Sequence, residues 1–154
     1  MPVKKLKKFL DDNNVKYVSI RHSIAYTAQQ IAESAHIPGD EMAKTVMVLL
    51  DGRLAMAVLR GTDKVDLDLL RGAAGAKTAE LAGEIQFQDA FPDVDIGAMP
   101  PFGNLYDMPV YVDEALTRDE RIAFNAGTHS ELIQLEYADY ERLVKPKVAN
   151  FTLG

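Results

Sequence analysis

The feature that most constrains the fold of this chain is an apolar β-hairpin near its middle. Two apolar runs, KTVMVLL at 44–50 and RLAMAVLR at 53–60, are separated only by the dipeptide Asp51-Gly52. Asp-Gly is a preferred two-residue turn between antiparallel strands, because both turn positions need a positive φ. This hairpin predicts a sheet at the centre of the fold.

The remaining segments alternate between helical and strand patterns. Val3, Leu6, Phe9 and Leu10 recur at helical spacing, and lysines at 4, 5, 7 and 8 form the other face, which is either solvated or contacts phosphate. Further helices are predicted at 27–36, 64–75, 77–83 and 138–146, and further strands at 16–21, 109–116, 121–127 and 131–137. This order predicts an α+β (mixed α/β) fold with a central, mixed and largely antiparallel sheet surrounded by short helices.

Length and composition narrow the class of protein. The chain has 154 residues, of which 47% are hydrophobic, so we expect a single domain over 1–154 with a real core. No apolar run approaches the ~18 residues of a membrane span, and the N-terminus lacks a signal peptide's apolar region, which favours a cytoplasmic protein with no membrane partner. The net charge of −6 argues against a protein that grips DNA or a long nucleic acid, but it allows contact with a short nucleic-acid end.

Few side chains could carry chemistry. The chain has no cysteine, which excludes disulfides, a thiolate nucleophile and cysteine–zinc sites. The three histidines, His22, His36 and His129, are not paired with each other or with carboxylates at metal-ligand spacing, so we expect no metal and no cofactor. One of Asp66 and Asp68 is better explained as a helix cap than as a metal ligand. PGDEMAKTV at 38–46 resembles a phosphate-binding loop only superficially, because that motif's glycines are missing.

Three stretches stand out from this background. GAMPPFG at 97–103 must be a stiff apolar loop, because proline lacks the N–H and restrains the residue before it. Lys44 opens an apolar strand, and FNAGTHS at 124–130 ends a strand with small residues before His129. Taken singly, each has an ordinary explanation as a turn, a solvated strand end or a surface histidine.

Taken together, these stretches resemble a known family. Lys44 at the start of an apolar strand, GAMPPFG with Gly97, Pro101 and Gly103, and NAGTH at 125–129 are similar in order and spacing to the YbaK / prolyl-tRNA synthetase-associated editing domain family. The run RHSIAYTAQQIAESAHIPGDEMAKTVMVL at 21–49 is similar as well, and the resemblance covers about 15–145. It implies a YbaK-like fold and a metal-independent trans-editing deacylase, which hydrolyses the ester of tRNA mischarged with a small amino acid.

The resemblance also implies partners and site residues. The partners are the acceptor end of aminoacyl-tRNA and an aminoacyl-tRNA synthetase. Lys44 is implied to hold the substrate near the 3′-terminal adenosine, and Gly97 belongs to a loop that offers backbone groups; these two are the implied catalytic residues. The implied substrate-binding residues are His22, Ala98, Met99, Pro100, Pro101, Phe102, Gly103, Asn125, Ala126, Gly127, Thr128 and His129.

Physical chemistry makes such a sparse site plausible. An aminoacyl ester is already activated, so the protein chiefly has to orient water and stabilise the developing oxyanion, and one oxyanion donor is worth roughly 10²–10³ in rate. Glycines let a backbone approach the substrate, and prolines keep the loop from moving. Met99 and Phe102 either set the width of the pocket or pack inward. Two alternatives stay open: a non-catalytic module that binds an aminoacyl-adenosine-like ligand or a protein partner, and a structural domain with a vestigial site.

Overall fold

The computed structural model describes residues 4–21, 41–92 and 94–152. The helix expected at 27–36, together with His22 and His36, lies outside these residues. The described residues confirm a mixed α+β fold. Their strands form two sheets, one of three strands and one of five, where the sequence suggested one central sheet.

The predicted hairpin forms the middle of the five-stranded sheet. Strand β2 (Ala43–Leu50) pairs antiparallel with β3 (Arg53–Arg60), and the turn residues Asp51 and Gly52 both have positive φ, at 51° and 79°. Their left-handed backbone is the conformation that a tight Asp-Gly turn requires. β5 (Val110–Asp113) adds parallel to β3, and β8 (Lys147–Ala149) adds parallel to β5.

At the other edge of this sheet, one predicted helix is instead a strand. Residues 77–83 were expected to be helical, but Ala79–Leu81 form strand β4, which pairs antiparallel with the end of β2. The Asp51 carboxylate accepts hydrogen bonds from the backbone N–H groups of Lys77 and Thr78, at 2.8 and 3.0 Å. The segment 77–83 is too short to form a stable helix alone, so its hydrogen bonds to the hairpin turn outweigh its helical pattern.

The three-stranded sheet is antiparallel and consists of β1 (Tyr17–Arg21), β6 (Arg121–Thr128) and β7 (Glu131–Glu136). Strand β7 lies in the middle, between β1 and β6. The register between β6 and β7 shifts between Asn125 and Thr128, which marks a bulge. A parallel bridge from Met42 to Ala123 brings the start of β2 beside β6.

Four helices are described. α1 (Lys4–Asp12) buries Leu6 and Leu10 and exposes its lysines, as its amphipathic pattern predicts. α2 (Leu67–Ala74) begins at Asp66, whose carboxylate accepts the N–H groups of Asp68 and Leu69, so the expected cap is confirmed there. α3 (Glu84–Phe87) is a single turn, and α4 (Tyr137–Val144) confirms the predicted last helix. In the part of the chain that the structure describes, none of the helices has the length and apolar character to span a membrane.

The hairpin is buried on both faces, because its two sets of alternating side chains enter different clusters. One face contributes Met47 and Met56 to the larger cluster, which also contains Phe102, Phe124 and Tyr140. The opposite face contributes Val48, Ala57 and Leu59 to a smaller cluster beneath Leu70 of α2. Since both faces are buried and β4 and β5 pair with the two edges, the loops at the ends of the hairpin are its most exposed parts.

Candidate functional site

The segment 97–103 is a loop, as its prolines predict, but it is anchored in the core. The side chains of 98–103 are all buried, and only Gly97 is exposed. Gly97 has φ +88, in the left-handed region that favours glycine. The loop therefore exposes its backbone at Gly97 and buries residues 98–103.

Two of the three predicted stretches lie against each other. The Asp95 N–H donates to the carbonyl oxygen of Gly127 at 2.8 Å, and the Gly127 N–H donates to that of Ala98 at 3.0 Å. His129 Nε2 lies 2.8 Å from the Ile96 carbonyl oxygen. Since a carbonyl only accepts, the His129 ring carries its proton on Nε2 in this arrangement. Three hydrogen bonds thus join the loop entrance to the end of β6.

The N–H of Gly97 has a weak acceptor. It donates to the thioether sulfur of Met99 at 3.2 Å, and thioether sulfur accepts hydrogen bonds poorly. A Cβ at position 97 would lie 3.4 Å from His129 Cε1, so the ring stands directly beside the glycine. Gly97 and His129 therefore border one exposed spot that has a backbone donor, and the positive φ there favours glycine.

The bulge in β6 adds buried polar atoms to the same region. Asn125 Oδ1 and Thr128 Oγ1 are both buried and have no hydrogen-bond partner among the described residues. Gly127, between them, has φ +99 and supplies the N–H and carbonyl that hold the loop. Buried polar atoms without partners cost free energy, roughly 1–3 kcal/mol each, so other contacts must offset this cost at the bulge.

The far half of the loop is fixed by aromatic packing. The Tyr140 hydroxyl, fully buried on α4, donates to the Pro101 carbonyl oxygen at 2.8 Å. The Phe102 ring lies 5.4 Å from the rings of both Phe124 and Tyr140, and 6.2 Å from that of Phe9 in α1. Sequence reasoning missed Tyr140, because a tyrosine on the inner face of an amphipathic helix gives no signal of its partner.

Met99 and Phe102 pack inward, which is the second of the two alternatives that the sequence leaves open. Phe102 is 0% exposed and Met99 is 5% exposed, and both belong to the larger core cluster. Pro100 and Pro101 are buried with them. In this structure, the side chains of 98–102 hold the loop, and beside it Gly97, Asn125 and Thr128 are exposed or half-buried.

Lys44 lies on β2. Its backbone is near this region, but its ammonium group is not part of it. Its Nζ donates to the carbonyl oxygens of Gly61, at 3.5 Å, and of Asp63. By strand alternation its side chain shares a face with Val46, which packs against the smaller cluster, whereas Met99 packs in the larger one. Among the described residues, the structure therefore brings the Gly97 loop and 125–129 together, and it places the Lys44 ammonium on the turn at 61–63.

Burial affects the Lys44 ammonium. Desolvation lowers the pKa of Lys44 below its ordinary value, and the charge of Asp63 opposes that shift while the charge of Lys64 adds to it. The carbonyl oxygens of Gly61 and Asp63 accept hydrogen bonds from the charged ammonium and so stabilise it. His22, the remaining predicted site residue, lies outside the described residues. Within 4–21, 41–92 and 94–152, no cluster of three or more histidine, aspartate or glutamate side chains is arranged to hold a metal ion.

The fold and the glycine loop define a class of protein. A crystal structure of a proposed trans-editing enzyme for prolyl tRNA synthetase has this fold, with a TM-score of 0.83 over 98% of this chain and 96% of that chain, at 19% sequence identity. Residues 22–143 match the family described as the aminoacyl-tRNA editing domain, and the chain belongs to this family. The family expected from Lys44, GAMPPFG and NAGTH is thereby confirmed.

Two relatives show how widely the similarity extends. The chain is 32% identical over 103 residues to a proline–tRNA ligase of Shouchella clausii (strain KSM-K16), a match that covers 67% of this chain and only 18% of that protein. It is 26% identical over 152 residues to the multifunctional Ser/Thr-tRNA deacylase ProXp-y of Escherichia coli (strain K12), covering 96% of this chain and 90% of the relative. The chain thus corresponds to a small part of the first relative and to nearly all of the second.

Proposed function

We propose that the protein is an aminoacyl-tRNA deacylase, acting in trans on tRNA mischarged with a small amino acid, and that residues 1–154 form one editing domain. Membership of the editing-domain family and the full-length likeness to ProXp-y support the reaction class. The observation that carries the proposal is the exposed Gly97, which lies beside His129 and whose N–H donates only weakly, to the thioether of Met99. An N–H in this position is a ready donor for a carbonyl oxygen that gains negative charge.

The reaction needs little more than this donor and a positioned water. The water oxygen attacks the carbonyl carbon of the ester, the bond from that carbon to the ribose oxygen breaks, and the ribose oxygen takes up the proton that the water gives up. The products are the free amino acid and uncharged tRNA. Exchanging a weak N–H···S contact for a charge-assisted N–H···O⁻ bond stabilises the transition state more than the ground state, which is what accelerates the step.

The residues around Gly97 fit a small aminoacyl group. Gly127 adds no side chain here, and Asn125 and Thr128 contribute buried polar atoms without hydrogen-bond partners in the described structure. We assign those polar atoms to the amino group of the substrate or to the ribose hydroxyls of the 3′-terminal adenosine. The partner is then the acceptor end of the tRNA, and a synthetase of the kind suggested by the first relative is the source of the mischarged tRNA.

Lys44 keeps one donor for this substrate. An ammonium has three N–H groups, and two of them face the carbonyl oxygens of the turn at 61–63. We place the third toward the 3′-terminal adenosine. The second candidate function is a module that binds an aminoacyl-adenosine-like ligand without hydrolysing it. The same two hydrogen bonds favour it, because they give Lys44 a structural role that does not depend on catalysis.

Ester loss from defined mischarged tRNAs decides between the two functions. Purified protein is incubated with alanyl-, seryl- and prolyl-tRNA, and the intact ester is measured over time against the rate in buffer alone. A deacylase removes the small aminoacyl groups faster than buffer does, and the Gly97→Val variant loses this activity. Binding of the mischarged tRNA with the ester intact would establish the non-catalytic module. Ester loss at the buffer rate for the whole panel refutes the deacylase.

A further inference from the structure

Residues 95–98 form a β-turn at the entrance of the GAMPPFG loop. The Ala98 N–H donates to the Asp95 carbonyl oxygen at 3.0 Å, which closes a four-residue turn. Of the two central residues, Ile96 and Gly97, only Gly97 has a positive φ, at +88. This combination defines a type II turn, in which the third residue must adopt a positive φ.

Backbone hydrogen bonds to Gly127 hold both ends of this turn. The Asp95 N–H donates to the Gly127 carbonyl oxygen at 2.8 Å, and the Gly127 N–H donates to the Ala98 carbonyl oxygen at 3.0 Å. The peptide group between Ile96 and Gly97, the central peptide, takes part in neither bond. Type I and type II turns differ mainly in the direction of this peptide, and glycine adopts φ of either sign. The central peptide can therefore rotate while the ends of the turn stay in place.

His129 contacts the central peptide through its carbonyl. The His129 Nε2 lies 2.8 Å from the Ile96 carbonyl oxygen. The Ile96 carbonyl and the Gly97 N–H belong to one trans peptide, so they point in opposite directions. While the carbonyl accepts from His129, the N–H points to the Met99 sulfur, 3.2 Å from the nitrogen. Rotation of the central peptide by half a turn would exchange the two, and the carbonyl oxygen would point where the N–H points now.

We propose that His129 is a positioning residue, whose hydrogen bond to the Ile96 carbonyl selects the direction of the central peptide that makes the Gly97 N–H available to the substrate. The catalytic part of this inference rests on the proposed function, because that function supplies an oxyanion for the N–H. In the rotated form, the site loses its donor and turns a carbonyl oxygen toward the developing negative charge. One hydrogen bond changes an equilibrium by roughly 2–10-fold, so loss of this bond should raise the share of the rotated form by about that factor.

Two substitutions of similar length separate this hydrogen bond from the ring that makes it. His129→Gln keeps an N–H donor near the place of Nε2, whereas His129→Met has none. The readout is the NOE between the Ile96 Hα and the Gly97 amide proton in isotope-labelled protein without substrate. These two protons lie close together in a type II turn and move apart when the central peptide rotates. We expect the NOE to weaken in His129→Met and to stay near its wild-type strength in His129→Gln.

Tyr140→Phe is the matched control for this NOE. It also removes one hydrogen bond from a side chain to a carbonyl of the same loop, but that carbonyl belongs to Pro101, outside the turn at 95–98. The NOE should therefore stay as in the wild type even where Tm falls. Should His129→Met not fold, His129→Ala is measured in its place with the same expectation. A wild-type NOE without a donor at 129, or an equal loss in His129→Gln or Tyr140→Phe, overturns the inference.

Deacylation kinetics of the same variants test the catalytic part. His129→Met should lower kcat by roughly 2–10-fold with little change in KM, because the Gly97 N–H is proposed to act chiefly in the transition state. His129→Gln should restore most of the loss, which a residue that acts through ring contact with the substrate would not allow. Wild-type kcat together with a weakened NOE overturns the catalytic part. If the wild-type protein shows the expected NOE but no ester loss, the deacylase fails while the role of His129 in the turn stands.

Discussion

Alanine substitutions at the two ends of the 97–103 loop separate its chemistry from its packing. Gly97 has φ +88, so a Cβ there adds about 1–2 kcal/mol of backbone strain. The same Cβ would lie 3.4 Å from His129 Cε1, at the spot where the substrate carbonyl is proposed to bind. Because misplacement by about 1 Å can cost 10²-fold in rate, we expect Gly97→Ala to lower kcat/KM by about 10²-fold.

Gly103 is the matched control, because its conflict lies in the core. A Cβ at 103 would come within 2.6 Å of the Met108 carbonyl oxygen and 2.6 Å of Val110 Cγ2. Neither atom ends a flexible side chain, so the backbone must shift, at a cost of at least the ~1–3 kcal/mol typical of overpacking. We expect Gly103→Ala to lower the free energy of unfolding while the protein that remains folded keeps near wild-type kcat/KM.

Two measurements on each variant test this contrast. At about 2–4 °C per kcal/mol for a protein of this size, Gly97→Ala should lower Tm by roughly 2–8 °C, as followed by circular dichroism. Ester loss from mischarged tRNA, measured well below Tm, gives kcat/KM. Wild-type kcat/KM in a folded Gly97→Ala protein would remove Gly97 from the active site. Wild-type Tm in Gly103→Ala would refute the packing argument, and a Gly97→Ala protein that does not fold would make the whole loop structural.

Three further substitutions probe the supports of the site. Lys44→Ala should abolish deacylation. Burial lowers the pKa of Lys44 in the folded protein below its value of 10.5 in the unfolded chain. Between the folded and unfolded pKa values the unfolded state binds more protons, so the free energy of unfolding should rise with pH there. Lys44→Met should remove this rise. Tyr140→Phe keeps the ring but leaves the buried Pro101 carbonyl unpaired; it should cost roughly 1–3 kcal/mol in urea unfolding and lower kcat more than it raises KM. Phe102→Ala should lower the free energy of unfolding by about 3–5 kcal/mol, because it leaves a cavity in the core. If the variant instead keeps the wild-type Tm and cleaves larger aminoacyl groups, Phe102 is part of the pocket wall.

Local signals in the sequence predicted the elements that hold the site. The Asp51-Gly52 turn defines the hairpin without help from the rest of the chain, because only its two residues must adopt positive φ. The spacing of Leu6 and Leu10 predicts α1 and its buried face for the same reason. Prolines exclude helix and central strand from 97–103 whatever surrounds them. In each of these cases the deciding interaction lies within a few residues.

Long-range contacts decided what the sequence could not predict. Strand β4 replaces an expected helix because Asp51 captures the backbone N–H groups of Lys77 and Thr78, 26 and 27 residues away along the chain. The hydrogen bond from Tyr140 to Pro101 spans 39 residues and leaves no trace in either local pattern. The inward packing of Phe102 depends on rings from other elements, so the sequence left it open between core and pocket wall.

The apolar character of GAMPPFG is what the proposed role of Gly97 as a backbone donor requires. A donor that stabilises an oxyanion is effective when it already points at the charge and does not have to reorganise during the reaction. A glycine alone cannot hold such a direction, since its backbone is the most mobile of all residues. Here five apolar residues follow Gly97 into the core, and the Pro101 carbonyl is tied to Tyr140. The burial of those side chains therefore helps to fix the direction of the Gly97 N–H, which is what its proposed role as an oxyanion donor requires.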